Sequence, residues 1–296
     1  MSVIVITGCS TGFGFQAAQR FAERGDHVFA TMRNPEGKNK PNADKLTSFA
    51  EAGGYKIDIV DLDVTSDESV NAAGKAVIAA AGAPDVVINN AGQMFVGLAE
   101  AFSADEFTRQ LDINVVGVHR VNRAFLPAMR DKGAGLIINV TSVAGRMAFP
   151  FFAVYHASKW GLEGYSQGMQ RELASSGIDV VVVEPGPFST ELFPQSPTPS
   201  DPEERGKSYP EVVHQTWEGM GKNFEAMFQD PEVNTDPSLV VDRFVELVEM
   251  EPGTRPFRGT VGLDFGVQAN NERDAEFDVG FMAAMGMTDF VKLKTE

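Results

Sequence analysis

The sequence contains a single cysteine, Cys9, and far fewer basic than acidic residues. One cysteine excludes an internal disulfide and argues against a thiolate-based metal site, so we expect a reducing compartment, the cytoplasm. Lys and Arg number 25 against 41 Asp and Glu, a formal net charge of −16. Nucleic acids and anionic membranes attract basic surfaces, so neither is expected as a partner. The first residues, MSVIVITG, include no basic leader and no apolar run long enough to span a bilayer.

Histidines are also few, and they do not form a metal-binding pattern. His27, His119 and His214 have no metal-like spacing to one another. His156 lies between candidate catalytic residues, and we interpret it as a packing residue. The sequence therefore predicts no metal ion.

What the sequence does contain is a regular alternation of strand and helix patterns. Hydrophobic residues make up 43% of the 296 residues and charged residues 22%, as in ordinary globular proteins. Helical patterns separate six runs rich in β-branched residues: SVIVIT, HVFAT, YKIDIVDLDV, DVVINN, GLIINVTS and DVVVVEPG. This order predicts an α/β fold with one doubly wound, Rossmann-type parallel sheet.

We expect a single domain, residues 1–296, in three parts. Residues 1–186 form the cofactor-binding and catalytic core, 187–235 a substrate lid, and 236–296 a C-terminal extension of helices, a strand and a tail. Seven of the sixteen prolines lie between Pro185 and Pro210. That density argues against regular structure there and is typical of an active-site lid.

Several local patterns predict where helices begin and which faces they bury. Thr65–Glu68 and Ser103–Glu106 have the form of capping boxes. The run LDINVVGVHRVNRAFLPAMR predicts one long helix, and a further helix begins at YHASK. Near the C-terminus, helical spacing predicts one apolar face made of Phe277, Phe281, Met282 and Met285.

A glycine-rich turn, TGCSTGFG, connects the first strand to the first helix. Glycines allow the backbone to approach a ligand, and the N–H groups of the following helix N-terminus favour a pyrophosphate. A plain βα turn is the alternative. The position of the turn between the first strand and the first helix of an alternating chain favours a dinucleotide site.

The spacing of this turn, T-G-x-x-x-G-x-G, resembles the short-chain dehydrogenase/reductase family. The other landmarks of that family follow in order along the chain: Asp63, Asn89-Asn90-Ala91-Gly92, Asn114, Ser142, Tyr155 with Lys159, and Pro185-Gly186. The resemblance covers roughly residues 3–190. It implies an oxidoreductase that uses a nicotinamide cofactor to interconvert a carbonyl and an alcohol.

The end of the second strand should decide between the two nicotinamide cofactors. Met32 stands where the family places the aspartate that selects NAD, and Arg33 follows it. A guanidinium suits a 2′-phosphate, so we expect NADP(H), with NAD(H) as the weaker alternative. The other interpretation of Arg33 is a solvated loop cation.

The resemblance also implies further cofactor contacts. Asp63 and Val64 would flank the adenine, Asn90 to Gly92 would lie beneath the sugar, and Thr190 would bond the nicotinamide carboxamide. Asp63 has the alternative role of a strand-end cap, and Asn90 that of a turn residue. The predicted cofactor-binding residues are Gly8, Ser10, Thr11, Gly12, Phe13, Gly14, Arg33, Asp63, Val64, Asn90, Ala91, Gly92, Tyr155, Lys159, Pro185, Gly186, Phe188 and Thr190.

The stretch YHASK places Tyr155 and Lys159 four residues apart, on one face of a helix. Carbonyl reduction needs a proton donor, and we expect the Lys159 charge to lower the pKa of the Tyr155 phenol from its ordinary value near 10. Ser142 is predicted to bond the substrate oxygen. Asn114 is a poor helix former and marks a local distortion, and the resemblance makes it the fourth catalytic residue.

Aromatic residues cluster on both sides of the sixth strand and predict an apolar substrate site. An alternative for these aromatic residues is packing in the core. Arg146 could instead face an acidic group on the substrate. The predicted lining of the apolar cleft is Phe149, Phe151, Phe152, Phe188, Leu192 and Phe193. The substrate would be a small hydrophobic carbonyl compound or alcohol.

The family commonly pairs the helices represented here by residues 114–130 and 156–175, which implies a homodimer or homotetramer. The alternative is that the core uses these faces completely. Two other functions compete with the enzyme: a methyltransferase, which Met32, Arg33 and YHASK disfavour, and a catalytically silent NADP(H)-binding sensor on the same fold.

Overall fold

The centre of the molecule is a sheet of seven parallel strands, seen in a computed structural model that describes residues 1–294. In chain order the strands are β1 (Val3–Ile6), β2 (His27–Met32), β3 (Lys56–Asp61), β4 (Val86–Asn89), β5 (Gly135–Val140), β6 (Ile178–Pro185) and β7 (Arg258–Val261). Their spatial order is β3-β2-β1-β4-β5-β6-β7. The order reverses between β1 and β4, which makes that crevice the expected ligand site.

Helices cover both faces of the sheet. They are α1 (Gly12–Glu23), α2 (Lys40–Gly53), α3 (Asp67–Ala81), α4 (Ala104–Leu111), α5 (Gly117–Lys132), α6 (Ala153–Ala174), α7 (Pro202–Gly206), α8 (Glu211–Gln229), α9 (Ser238–Glu249) and α10 (Val267–Ala284). Successive strand residues point to opposite faces. Ile4 and Ile6 therefore enter one core cluster with residues of α1, α2 and α9, and Val5 enters another with residues of α3, α5 and α6.

The predicted doubly wound sheet is confirmed, with all six predicted strands in place. The C-terminal extension adds β7, which pairs in parallel with β6. It has only four residues and contains a glycine, so its sequence carries a weak strand signal.

The long helix predicted from Leu111 is interrupted. A π-helical turn at Asp112–Val116 separates α4 from α5 and contains Asn114, so the predicted distortion at that residue is confirmed. The capping box at Ser103–Glu106 is also confirmed. The one at Thr65–Glu68 is wrong by a residue, because Ser66 is the N-cap and accepts from the Ser69 N–H at 3.2 Å.

The stretch between Pro185 and Pro210, where the density of prolines argued against regular structure, is not wholly irregular. The short helix α7 forms with Pro202 in its first turn, where a missing N–H costs nothing. After it, α8 runs for 19 residues along the outside of the molecule without a fully buried residue.

The apolar face predicted for the C-terminal helix α10 is wrong in orientation. Met282 is buried, but Phe277 is 72% exposed, and the helix presents Asn271, Asp274 and Asp278 to the protein. Arg146 binds Asn271 and Asp274, and Arg171 binds Asp278. These polar contacts, and not the apolar spacing, decide which face of α10 meets the protein.

Candidate active site

The predicted site residues meet at the carboxyl ends of β1, β4, β5 and β6. The glycine turn follows β1, Asn90 follows β4, Ser142 follows β5, and Pro185 ends β6. Neighbouring parallel strands end at the same sheet edge, so residues more than a hundred positions apart in sequence become neighbours.

Close backbone approaches shape the glycine turn. Gly8 and Gly12 have φ values of 75° and 58°, a region that favours glycine. A Cβ at Gly14 would lie 2.5 Å from both the Asn90 side chain and the Gly8 carbonyl oxygen. The turn is therefore closed on the protein side and cannot accept a side chain there.

On its outer side the turn leads into α1, whose N-terminus is suited to an anion. The N-cap, Thr11, makes no side-chain capping bond, and the first turn contains no acidic residue. Its N–H groups and the helix dipole remain available to a phosphate. Thr190 lies beside the turn, with its Cβ 4.0 Å from a Cβ built on Gly12. Ser10 and Phe13, also of the turn, are half-buried.

Asn90 anchors the glycine turn to β4. Its Nδ2 donates to the carbonyl oxygens of Thr7 and Gly8 at 2.8 and 3.2 Å. In return the Thr7 hydroxyl accepts from the N–H groups of Asn90 and Ala91, each at 3.0 Å. Asn90 has no positive φ, so its alternative role as a residue of unusual backbone conformation does not apply. Its side chain positions the turn.

The end of β2 leaves Arg33 free for a ligand. Met32 is buried, whereas Arg33 is exposed and forms no ion pair within residues 1–294. Its carbonyl accepts from Asn39 Nδ2 at 2.6 Å, and the N–H of Asn34 donates to Asp61 at 2.9 Å, which fixes the local backbone. The turn is therefore ordered while the guanidinium stays available.

Asp63 acts as the strand-end cap that was its alternative role. Its Oδ1 accepts from the N–H and the hydroxyl of Thr65 at 2.9 and 2.7 Å. Val64 is buried and lies against the start of α5, since a Cβ on Gly117 would be 2.9 Å from its own Cβ. The two hydrogen bonds from Thr65 use only the Oδ1 oxygen of Asp63.

Ser142, Tyr155 and Lys159 converge at the ends of β5 and β6. Tyr155 and Lys159 are 6% and 7% exposed, and the Lys159 Nζ lies 5.8 Å from the centre of the Tyr155 ring. The Lys159 ammonium donates to the Val140 carbonyl at 2.9 Å, and the Ser142 hydroxyl donates to the Pro185 carbonyl at 3.3 Å. Both side chains are thus held by strand-end carbonyls.

Asn114 joins this group from the π-helical turn. Its Oδ1 accepts from the Gln93 N–H at 2.9 Å, and its Nδ2 donates to the Gln93 carbonyl at 2.8 Å and to the Ser158 hydroxyl at 2.9 Å. A Cβ on Gly92 would lie 3.3 Å from Asn114 Oδ1 and 3.8 Å from Lys159 Nζ. Asn114 therefore ties the chain after β4 to α6.

The prediction that the Tyr155 pKa is lowered is wrong when the protein groups alone are considered, because they raise it. Burial raises the pKa of Tyr155 to about 12, and a hydrogen bond with Ser142 opposes this only in part. Burial also lowers the pKa of Lys159 to about 8, against the charge of Glu163. In both groups desolvation is the largest cause of the shift, because both are buried.

The aromatic residues divide into two sets. Phe149 and Phe152 have ring centres 4.7 Å apart and belong to an apolar cluster that includes Tyr155. Phe224 of α8 bridges this cluster to Phe193, with its ring centre 6.3 Å from Phe152 and 5.5 Å from Phe193. Leu192 and Phe193 are each 38% exposed. The structure therefore assembles an apolar wall between Tyr155 and α8.

Phe188 does not join that wall. It packs in the main core against Phe13, with ring centres 5.6 Å apart, and a Cβ on Gly262 would be 2.7 Å from its ring. Its predicted substrate contact is therefore wrong. Gly186, two residues earlier, comes close to the chain after β7: a Cβ there would lie 2.1 Å from the Leu263 carbonyl oxygen.

Phe151 belongs to the apolar cluster but adopts an unusual backbone. Its φ of 71° is rare for a residue with a side chain and costs of order 1–3 kcal/mol. The Gly97 N–H donates to its carbonyl at 2.8 Å, and its ring contacts Trp217 of α8 at 5.1 Å between centres. Contacts from two sides therefore hold this strained conformation in place.

Arg146 and His156 both serve the loop after Ser142. The Arg146 guanidinium donates to Asn271 and pairs with Asp274, so it is not free for an acidic substrate. The two ring nitrogens of His156 bond the Ala144 carbonyl and the Phe149 N–H at 2.8 and 3.0 Å, and burial lowers its pKa. His156 is a packing residue that also fixes the loop.

Two groups of residues near the site had gone unrecognised. Helix α8 supplies the first group, a row of apolar side chains beside the apolar cluster. Their helical spacing is visible in the sequence: Val213, Trp217, Met220, Phe224 and Phe228. The other group is the buried pair Glu163 and Glu184. The signal in the sequence was an acidic residue inside VVVVEPG, an otherwise apolar strand.

The described residues include neither a membrane-spanning helix nor a metal-binding cluster. No helix in the described part of the chain is long and apolar enough to cross a membrane. Within residues 1–294 there is also no cluster of three or more His, Cys, Asp or Glu side chains arranged to hold a metal ion.

Sequence comparisons identify the kind of protein to which the chain is similar. A family model described as short chain dehydrogenase matches residues 2–200. The chain is 38% identical over 196 residues to the uncharacterized oxidoreductase YusZ of Bacillus subtilis. The matched stretch covers 66% of this chain and 68% of that protein. The chain is also 37% identical over 188 residues to the 3-ketodihydrosphingosine reductase of Bacteroides thetaiotaomicron, covering 64% of each.

Solved structures show the same architecture over nearly the whole chain. A short-chain dehydrogenase from Streptomyces avermitilis superimposes with a TM-score of 0.75 at 27% identity and covers 96% of this chain and 97% of its own. A gluconate 5-dehydrogenase from Burkholderia cenocepacia, in complex with NADP and tartrate, has a TM-score of 0.60 at 32% identity. That match covers 64% of this chain and 73% of the other.

Proposed function

The chain belongs to the short-chain dehydrogenase family, and we propose that it is an NADP(H)-dependent oxidoreductase that interconverts a carbonyl and a secondary alcohol. One observation carries the proposal. Tyr155, Lys159, Ser142 and Asn114 come together beside a glycine turn whose helix N-terminus is suited to a phosphate.

The cofactor would be held along the crevice between β1 and β4. The N–H groups of the glycine turn and of the first turn of α1 would bind its pyrophosphate, and Asn90 keeps that turn in place. Arg33 would bind a 2′-phosphate, since its guanidinium is exposed and unpaired among the described residues. The NADP bound to the gluconate 5-dehydrogenase relative supports the same cofactor here.

When bound, NADPH supplies the hydride, and the protein supplies the proton. The Tyr155 hydroxyl would donate its proton to the substrate oxygen, which the Ser142 hydroxyl would also bond. With its pKa raised to about 12 by burial, Tyr155 carries at neutral pH the proton that reduction requires.

The substrate is proposed to be a neutral, hydrophobic carbonyl compound. The wall beside Tyr155 is built from Phe149, Phe152 and Phe224, and the nearby cation Arg146 is already paired with Asp274. Segment 187–235 would act as the lid, because α8 contributes the outer side of that wall. The relative named for 3-ketodihydrosphingosine supports an apolar substrate.

A homodimer or homotetramer is proposed from exposed apolar residues on α4, the π-helical turn and α6. Phe107, Val116 and Trp160 are 39%, 39% and 47% exposed. Pairing these helices across a two-fold axis would cover them.

A cytoplasmic location is proposed from the single cysteine. With one cysteine the chain cannot form an internal disulfide of the kind that stabilises proteins in oxidising compartments. Cys9 is also buried, and burial raises the pKa of its thiol, which keeps it unreactive. Recovery of the protein from the membrane or secreted fraction of its own cells would contradict this location.

The decisive experiment is a panel of neutral and charged ketones and alcohols with NADPH and NADH, followed by nicotinamide absorbance. Tyr155→Phe is expected to lower kcat about 10²–10⁴-fold while NADPH still binds. Tyr165→Phe, on the same helix, is the matched control and should keep turnover. Tight NADPH binding without oxidation by any carbonyl would instead support the silent sensor, and near-normal turnover of Tyr155→Phe would remove the proposed acid.

A further inference from the structure

Behind the candidate active site lies a buried pair of carboxyl groups to which the proposed function assigns no role. Glu163 stands one helical turn after Lys159 on α6, and Glu184 precedes the last residue of β6. Their exposed fractions are 2% and 0%. Glutamates are rarely buried to this extent without a specific arrangement that compensates the loss of water.

Each carboxyl group has one bonded and one unbonded oxygen. Glu163 Oε2 accepts from Arg258 Nε at 2.9 Å, and Glu184 Oε2 accepts from Asn271 Nδ2. The Oε1 atoms of both residues are buried and have no hydrogen-bond partner in the part of the chain that is described. Buried oxygens of this kind usually have a donor.

The arginines around the pair form their ion pairs with groups other than Glu184, and among residues 1–294 no cation lies within ion-pair distance of Glu184. Arg258 of β7 is the cation in contact with Glu163, and Lys159 faces Glu163 from the preceding turn of α6. Arg258 and Arg146 also favour the ionised form of Glu184, but Arg258 is paired with Glu163 and Arg146 with Asp274 of α10. The remaining neighbour of Glu184, Asn271, is neutral and donates one hydrogen bond.

Two buried carboxylates in this setting would repel each other, and protonating one of them removes the repulsion. Glu184 is the group to take the proton, because Glu163 has the guanidinium. Burial first, and then the negative charge of Glu163, raise the pKa of Glu184 to about 8. A proton on Glu184 also turns an acceptor into a donor beside an unpartnered carboxylate.

We propose that Glu184 holds a proton at neutral pH and forms with Glu163 a carboxylic acid–carboxylate pair that positions the catalytic groups. Glu163, the ionised member, sustains the positive charge of Lys159. Glu184 holds the end of β6, where the next residue, Pro185, accepts the Ser142 hydroxyl. Both are positioning residues, and this role rests on the proposed function, whereas the protonation of the pair does not.

Thermal unfolding as a function of pH tests the protonation without any substrate. A carboxyl whose pKa is raised in the folded state contributes stability that is lost as pH rises from about 4.5 to about 8. Across that window the unfolding equilibrium constant of the wild type should increase on the order of 10³-fold. Glu184→Gln should remove most of this slope, whereas Glu172→Gln, an exposed change on the same helix, should keep it. An unchanged slope in Glu184→Gln overturns the proposal.

Infrared spectroscopy of the wild-type protein provides a second test that does not depend on whether a variant folds. A protonated carboxyl has a carbonyl stretch distinct from that of a carboxylate. We expect one acid band at pH 7 that disappears as pH rises through about 8. Its absence at pH 7 refutes the pair.

The positioning role is tested by the pH dependence of kcat/KM for ketone reduction. Removing the Glu163 charge lowers the pKa of Lys159. The pH above which kcat/KM falls should therefore be lower in Glu163→Gln than in the wild type, by about one pH unit or more. Glu172→Gln should leave the profile unchanged, and an equal profile for Glu163→Gln refutes the positioning role. A wild type that reduces no carbonyl refutes the proposed function, while the unfolding and infrared results still decide the pair.

Discussion

Replacing Asn114 by Ala tests the link between the π-helical turn and the catalytic helix. The side chain is 1% exposed and makes three hydrogen bonds, two to the backbone of Gln93 and one to the Ser158 hydroxyl. The Gln93 carbonyl keeps a second donor, Gln110 Nε2, at 2.9 Å. The substitution therefore leaves the Gln93 N–H as the main unsatisfied group.

The expected loss of stability follows from these contacts. An unpaired buried N–H costs about 1–3 kcal/mol, and the lost bond to Ser158 adds about 1 kcal/mol. Alanine regains about 0.5 kcal/mol in helix propensity. The free energy of unfolding should fall by about 1.5–3.5 kcal/mol, which lowers Tm by about 3–6 °C for a chain of this size.

Urea unfolding followed by circular dichroism measures this loss. Asn71→Ala, an exposed change in α3, is the matched control and should alter stability by no more than about 0.5 kcal/mol. Turnover of the folded Asn114→Ala protein should also fall, because the chain after β4 loses its bond to α6. A loss of stability below about 1 kcal/mol would show that Asn114 does not make these bonds in solution.

Three further predictions concern the cofactor, the pH dependence and the assembly. Arg33→Ala should raise the Kd for NADPH at least about tenfold and leave that for NADH nearly unchanged, whereas Lys38→Ala should affect neither; equal losses for both cofactors would contradict the phosphate contact. Reduction should fall about tenfold per pH unit above pH 8, as Lys159 with its lowered pKa loses its proton, and a flat profile to pH 10 would contradict this. Trp160→Glu should reduce the mass measured by light scattering to that of a monomer if α6 pairs across a two-fold axis, and an unchanged oligomer would place the interface elsewhere.

Much of the fold follows from local sequence patterns. The six predicted strands of the core are short runs rich in β-branched residues. Five of them are buried on both faces, as expected for a parallel sheet, whereas β3 forms the sheet edge and alternates between exposed and half-buried residues. The boundaries are less determined. Ser66 rather than Thr65 caps α3, since neighbouring hydroxyl residues offer equivalent side chains and only backbone geometry selects one.

The candidate site was predictable where chemistry requires a residue type at a fixed spacing. Tyr155 and Lys159 share a helix, and Gly14 lies where a Cβ has no room. The Tyr155 pKa was not predictable in the same way. The Lys159 charge can be inferred from spacing, but burial raises that pKa, and the extent of burial depends on the apolar cluster around the phenol.

The sequence by itself determines the order of the chemical groups and the strands that carry them, because these depend on residue type and local periodicity. Tertiary structure alone decides which distant groups meet. It pairs Arg146 with Asp274, turns the polar side of α10 inward, and buries Glu184 against Asn271, 87 residues away. Such contacts depend on how helices dock on the sheet, and the energy of a buried charge depends on every group around it.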